Sequence, residues 1–186
     1  MNAQFARQVQ AQVSKTMASL LEKAKALVIE RIPGTRKGSD EPAYLHSIRV
    51  SESLTRFGFP KHVIIAGMLH DITEDGATPP EELRGMGFSD RIVELVRLCT
   101  HDDMIEGGDR RWVKMMARLI DAEDAEAWAI KIADLTDNLK SSGTLAEDRR
   151  RFMREAKAPF LLRLSWNTMG KMPVWKKLKS VLMSLS

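Results

Sequence analysis

Cysteine is nearly absent. Cys99 stands alone, so no internal disulfide can staple the fold, and the usage suits a reducing, cytoplasmic compartment. Long apolar runs are missing too: the longest, Val63 to Leu69, is seven residues, far short of a bilayer span. Aromatics are scarce at 6%, and only four histidines occur. No convincing β-alternation, internal repeat or low-complexity segment appears, which turns the reading toward helices.

What is present is a globular balance, with 44% hydrophobic and 29% charged residues in 186, the size of one ordinary domain. The net charge of +4 is local. The last 23 residues, Leu164 to Ser186, hold Lys171, Lys176, Lys177 and Lys179 and no acid, leaving 25 basic and 25 acidic residues in the body. The basic balance therefore describes a tail and gives no ground for a nucleic-acid partner.

Apolar residues recur at three- and four-residue steps from Phe5, Val9 and Val13 through Met17, Leu20, Leu21, Ala24, Leu27 and Val28, one face of a long helix ended by Pro33 and Gly34. The first 20 residues carry Arg7 and Lys15 but no acid; their pattern continues in phase into that helix, so they are read as structure rather than as a targeting leader. A flexible basic loop is expected over 34–40, then helices over 44–56 and from Pro60 to His70. Thr78-Pro79-Pro80-Glu81 has the form of a helix start with a capping hydroxyl, and Ser89 of a second cap. Trp112, Met115, Met116, Leu119 and Ile120 mark a further helix after Gly107-Gly108, and 125–140 and 145–164 complete an all-α fold of roughly seven or eight helices.

The ionisable residues in this pattern are out of place. His70-Asp71 closes an apolar helix, and Glu74 and Asp75 follow four residues on, so helical spacing stacks Glu74 over His70 and Asp75 over Asp71. Three carboxylates around one imidazole repel one another unless a cation sits among them, and a divalent metal is the simplest resolution. Asp134 lies in the apolar stretch 127–133, with Asn138 one turn later, and asks for the same partner; a buried ion pair with Lys131 is the plainer reading. His46 supplies a further imidazole. Cys99, in an apolar helix, is read as an inert core thiol, and His62 as a surface residue.

His46, then His70-Asp71, then Asp134, together with LHDITED over 69–75, KIADLTDNL over 131–139 and Arg36-Lys37-Gly38, resembles the HD-domain metal-dependent phosphohydrolases, and within them the hydrolase domain of RelA/SpoT-type alarmone enzymes and their stand-alone small relatives. The likeness covers about residues 18–163, leaving 1–17 as an N-terminal helical extension and 164–186 as a basic amphipathic tail. It implies His46, His70, Asp71 and Asp134 as metal ligands, Mn²⁺ as the usual ion, and Glu74 and Asp75 as the catalytic acidic pair. Asn138 is implied as an active-site residue that also binds substrate, with Arg36 and Lys37 packing on the purine and its ribose-phosphate. The implied reaction is hydrolysis of the 3′-pyrophosphate of (p)ppGpp or its adenosine counterpart, releasing pyrophosphate. The family commonly has a lysine or arginine after Thr100, where this chain has His101, so an HD-type nucleotidase acting on another nucleotide, or a non-hydrolysing nucleotide sensor, stands as an alternative.

In the tail, Val174, Trp175, Leu178, Val181, Leu182 and Leu185 line one face opposite the lysines. A basic amphipathic helix of this kind touches anionic membranes in other settings; packing on the body or a contact in a homo-oligomer is the favoured reading. The expected partner is a small nucleotide substrate.

Overall fold

In the computed structural model, which describes residues 3–102 and 104–185 and the side chains of these except 3–7, 9 and 14, the chain opens on the long helix α1, Ala3–Arg31. Its apolar face is buried at Ala24, Leu27 and Val28, and Met17, Leu20 and Leu21 pack against the core. Further toward the start, Val13 on the expected face is 51% exposed, and the side chains of Phe5 and Val9 lie outside those described. Periodicity sets a face but does not supply the surface that covers it.

Three helices carry the centre: α2 (Tyr44–Arg56), α3 (Lys61–Leu69) and α7 (Ala125–Lys140). The run Val63–Leu69 is buried throughout, which explains why it shows no alternation of faces: α3 is enclosed by α1, α2, α5 (Asp90–Cys99) and α7. Each of its larger aliphatic side chains contributes roughly 1.5–3 kcal/mol by leaving water. Gly67 lets α3 lie hard against α2, since a Cβ there would stand 2.3 Å from Leu54 Cδ1. That close approach brings the rings of His46 on α2 and His70 at the end of α3 to 5.2 Å between centroids.

α4 (Pro80–Gly85) starts one residue later than Thr78 allows. Its N-cap is Pro79, and no side chain caps it; the Thr78 hydroxyl instead donates to Gly76 O at 3.1 Å. Two consecutive prolines push the helix start forward, because Pro80 holds Pro79 in extended backbone (ψ 146°) and so makes it the cap. Ser89 does cap α5, accepting from Ile92 N. α6 (Gly108–Ala122) buries Met115, Met116 and Leu119 and leaves Ile120 44% exposed. The Cys99 thiol is buried and its pKa pushed up to about 12 by that burial, which keeps it unreactive.

The expected helix over 145–164 divides into α8 (Glu147–Phe152), a single π turn (Met153–Lys157) and α9 (Ala158–Leu164). Pro159 has no N–H to offer an α-helical ladder, and the register slips just before it, Ala158 N donating to Met153 O. Counted as one interrupted helix, and with the short α4 and α10 (Trp166–Met169) set aside, these segments make eight long helices among the described residues. No strand is formed among them, only an isolated bridge between Thr35 and Pro42. The tail is α11 (Pro173–Ser184), packed on α7 and α9; it buries Val174, Trp175, Leu178 and Val181, and the Trp175 indole donates to Leu162 O at 3.2 Å. No helix among the described residues is long and apolar enough to cross a membrane.

Candidate metal and phosphate site

The α2–α3–α7 junction brings His46, His70, Asp71 and Asp134 together. His46 and His70 are 2% and 0% exposed, and Asp134 is 7% exposed. Donor atoms of His46, His70 and Asp134 all lie within 4.8 Å of one another. Asp71 flanks this trio, with Oδ1 3.1 Å from His70 Nε2 and Oδ2 3.5 Å from His46 Nε2.

Each imidazole is fixed by its far nitrogen. His70 Nδ1 donates to Gly67 O at 2.9 Å, a carbonyl left free near the end of α3. His46 Nδ1 donates to Asp137 Oδ2 at 2.8 Å. Both Nε2 atoms are thereby turned to the same point. His46 Nε2 lies 3.1 Å from Asp134 Oδ1, while His70 Nε2 is buried without a hydrogen bond although two carboxylates stand 3.1 and 3.7 Å away. A buried nitrogen without a hydrogen bond, aimed among carboxylates, is what a cation site looks like from its ligands. The residues present therefore fit a divalent metal.

The charges agree. Burial opposes the imidazolium of His70, yet Asp71 and Asp134 outweigh it and raise the pKa to about 10; His46 is raised likewise against burial by Asp134, Asp137 and Asp71. Burial would push Asp71 and Asp134 up, but His70 beside the first and Lys131 beside the second hold both well below the usual carboxylate range. The centre is built for positive charge, whether proton or metal.

The ion pair between Lys131 and Asp134 exists, at 2.5 Å, and it is no rival to the cluster: Lys131 takes Oδ2 while the imidazoles and Asn138 Nδ2 (2.5 Å) face Oδ1. The signal missed in the sequence is Asp137. It lies on the flank of α7, holds His46, and is itself held by Arg49 Nε at 2.8 Å and Nη2 at 3.0 Å; Arg49 in turn forks onto Glu41 at 2.7 and 2.9 Å. Spacing alone hints at this, since Asp137 follows Asp134 by three residues and Arg49 follows His46 by three.

His70 to Asp75 form a turn rather than a continuation of α3, closed by Asp75 N to Asp71 O at 2.9 Å and by Ala77 in the left-handed region at φ 49°. The two acids therefore face different surroundings. Glu74 accepts from His101 N and from His101 Nδ1, both at 2.7 Å. Asp75 lines a cavity of about 360 Å³ together with Arg36, Lys37, Asn138, Ser141 and Arg149; burial, then Asp71 and Glu74, raises its pKa. The 34–40 loop is tied down: Arg36 N donates to Glu41 O, and the Arg36 guanidinium to Asn138 Oδ1 at 2.6 Å and Ser141 Oγ at 3.3 Å. A smaller cavity of about 150 Å³ lies on the other side, lined by Asp71, Asp134, Asn138, His101, Lys131 and Lys157 among others. His62 pairs with Glu126 at the surface.

Residues 24–160 match the family model described as HD domain. The chain is 27% identical over 166 residues to the guanosine-3′,5′-bis(diphosphate) 3′-pyrophosphohydrolase of Aquifex aeolicus, covering 85% of this chain and 23% of that one. It is 28% identical over 124 residues to the enzyme of the same name from Vibrio cholerae, covering 63% and 17%. The chain thus spans about a fifth of the length of these relatives. Its fold matches a solved metazoan ortholog of SpoT that hydrolyzes ppGpp, with a TM-score of 0.69 at 21% identity over 91% of this chain and 95% of that one.

Proposed function

The chain belongs to the HD domain family, and on that premise we propose that it is a metal-dependent hydrolase removing the 3′-pyrophosphate of guanosine or adenosine alarmones such as (p)ppGpp or (p)ppApp. The observation that carries this reading is the convergence of two buried imidazoles, each locked through Nδ1, on Asp134 and Asp71, which line a phosphate-sized cavity that shares Asn138 with a nucleoside-sized one. The names of the Aquifex aeolicus and Vibrio cholerae relatives support the substrate class. The hydrolase unit is taken as residues 18–163, and the cellular site as the cytoplasm.

His46, His70, Asp71 and Asp134 would hold the cation. Mn²⁺ is proposed from the family resemblance; two imidazoles and two carboxylates suit such a divalent ion and leave positions open. When bound it supplies Lewis acidity toward the phosphate and acidifies water. Arg36, Lys37 and Asn138 would hold the purine nucleoside in the larger cavity; a guanidinium suits both stacking on a base and contact with phosphate. Water adds to the 3′-α-phosphorus, the bond from phosphorus to the 3′-oxygen breaks, and the products are the 3′-hydroxyl nucleotide and pyrophosphate. Asp75 would take the proton from the attacking water: it lies in the cavity, whereas both oxygens of Glu74 are engaged by His101. Glu74 would then set the position of His101 and the turn, a narrower role than an equal partnership of the two acids.

The reading is tested by chromatography of products from ppGpp, ppApp and a panel of ordinary nucleotides incubated with the protein and Mn²⁺. Pyrophosphate and GDP or ADP from the alarmones alone is expected; orthophosphate from ordinary nucleotides would make the chain a nucleotidase, and no product at all a sensor. A second expectation concerns the outer partner of His46. Asp137→Ala should weaken Mn²⁺ binding about 10- to 100-fold without removing a ligand, measured by calorimetric titration.

A further inference from the structure

Lys157 is an anomaly that the metal site does not use. It ends the π turn, is half-buried, and no carboxylate among the described residues lies within ion-pair distance of its ammonium. The ammonium stands 5.5 Å from the ring centroids of both Trp112 and Phe152, and the side chain lines the 150 Å³ cavity that Asp71 and Asp134 also face. π turns inserted in α-helices are frequent at functional sites, and this one rotates residue 157 relative to the α8 register.

The other charges around that cavity have partners. Lys131 is held by Asp134, and Arg36, at the neighbouring cavity, by Asn138 and Ser141. His101 gives Nδ1 to Glu74, and its Nε2 is buried with no hydrogen-bond partner. The wall facing the metal ligands thus carries an ammonium without an anion and an imidazole nitrogen without a partner. Burial, then repulsion from Lys131, lowers the Lys157 pKa against the more distant attraction of Asp134 and Asp109. A cavity of this size is too small for a nucleoside and adequate for a phosphate group. Asn138 lines both cavities, so a substrate whose nucleoside fills the larger one places its scissile bond at their junction and its outer phosphate in the smaller one.

We propose that Lys157, with His101 in the lining of the same cavity, receives the outer phosphate of the 3′-pyrophosphoryl group, so that the π turn makes the site select pyrophosphate over monophosphate at the 3′-position. This rests on the alarmone reading above. Lys157 forms no bond in the reaction; it holds the departing pyrophosphate through charge-assisted hydrogen bonds.

The test compares binding of ppGpp with that of its 3′-monophosphate counterpart, the 5′-diphosphate kept the same, by equilibrium dialysis with protein in chelator, where nothing turns over. The proteins are wild type, Lys157→Met and Lys157→Arg, with melting temperatures taken to confirm folding. Lys157→Met is expected to weaken ppGpp binding roughly 10- to 100-fold, to leave the 3′-monophosphate within about threefold, and to be largely restored by Lys157→Arg. With Mn²⁺ present, kcat/KM on ppGpp should fall by a similar factor. Equal weakening of both ligands, or of neither, overturns the proposal. If wild type binds ppGpp but never cleaves it, the alarmone hydrolase reading fails on its own, and the comparison between the two ligands still decides the role of Lys157.

Discussion

Replacing Asp71 with alanine is expected to cut turnover at least about a thousandfold, because several kcal/mol of metal-derived stabilisation of the transition state go with the ligand, while the helical fold persists. Asp71 sits on the open side of the cluster, with its side chain 22% exposed, and Asp134 stays within 3.7 Å of the buried His70 when it is removed. Asp134→Ala should be equally inactive but also less stable by roughly 3–5 kcal/mol, because the Lys131 ammonium would stay buried without its partner. The double variant Lys131→Met, Asp134→Ala removes both charges and should recover most of that stability with none of the activity. Thermal or urea unfolding alongside turnover separates the cases. If Asp134→Ala were as stable as the parent, the buried pair would carry no such cost of separation.

The second large effect concerns the proton. Asp75→Asn is expected to lower kcat by about 10²- to 10⁴-fold, the range for losing a general base, and Glu74→Gln by less, since Glu74 works through His101. The pH profile carries the sign. A base must be ionised, and burial together with Asp71 and Glu74 raises the Asp75 pKa above 3.8. In the parent, kcat/KM should therefore climb with pH through a limb displaced upward from the ordinary Asp value, where Asp75 loses its proton. In Asp75→Asn that limb should vanish. An unchanged acid limb in the variant would assign the proton transfer to another group.

Much of the scaffold was readable because its signals are local. The helices over 44–56 and 125–140 are framed by apolar periodicity and clear stops, and they appear as Tyr44–Arg56 and Ala125–Lys140. The closeness of His46, His70, Asp71 and Asp134 was readable for a different reason: ionisable residues inside apolar runs are costly unless they meet. What escaped depends on how helices cross. Arg49 and Asp137 look like ordinary charged positions on two surface faces until α2 lies on α7 and makes them the outer support of His46. Glu74 and Asp75 read as one acidic pair, because adjacency in sequence does not tell that a turn sends one to His101 and the other to the larger cavity. Lys157 was invisible for a similar reason: an α-helical count from Glu147 puts residue 157 on the wrong face, and only the register slip before Pro159 shows otherwise. Thr78 failed as a cap because two prolines outweigh one hydroxyl.

His46, His70, Asp71 and Asp134 are proposed to hold a divalent metal on which cleavage of a 3′-pyrophosphate depends. The most direct measurement is pyrophosphate release from ppGpp by protein stripped of metal and titrated with Mn²⁺. Release should be absent in chelator, rise to a plateau at one metal per chain, and stay absent at every Mn²⁺ concentration for Asp71→Ala. Equal release with and without chelator, or full activity in Asp71→Ala, would contradict it.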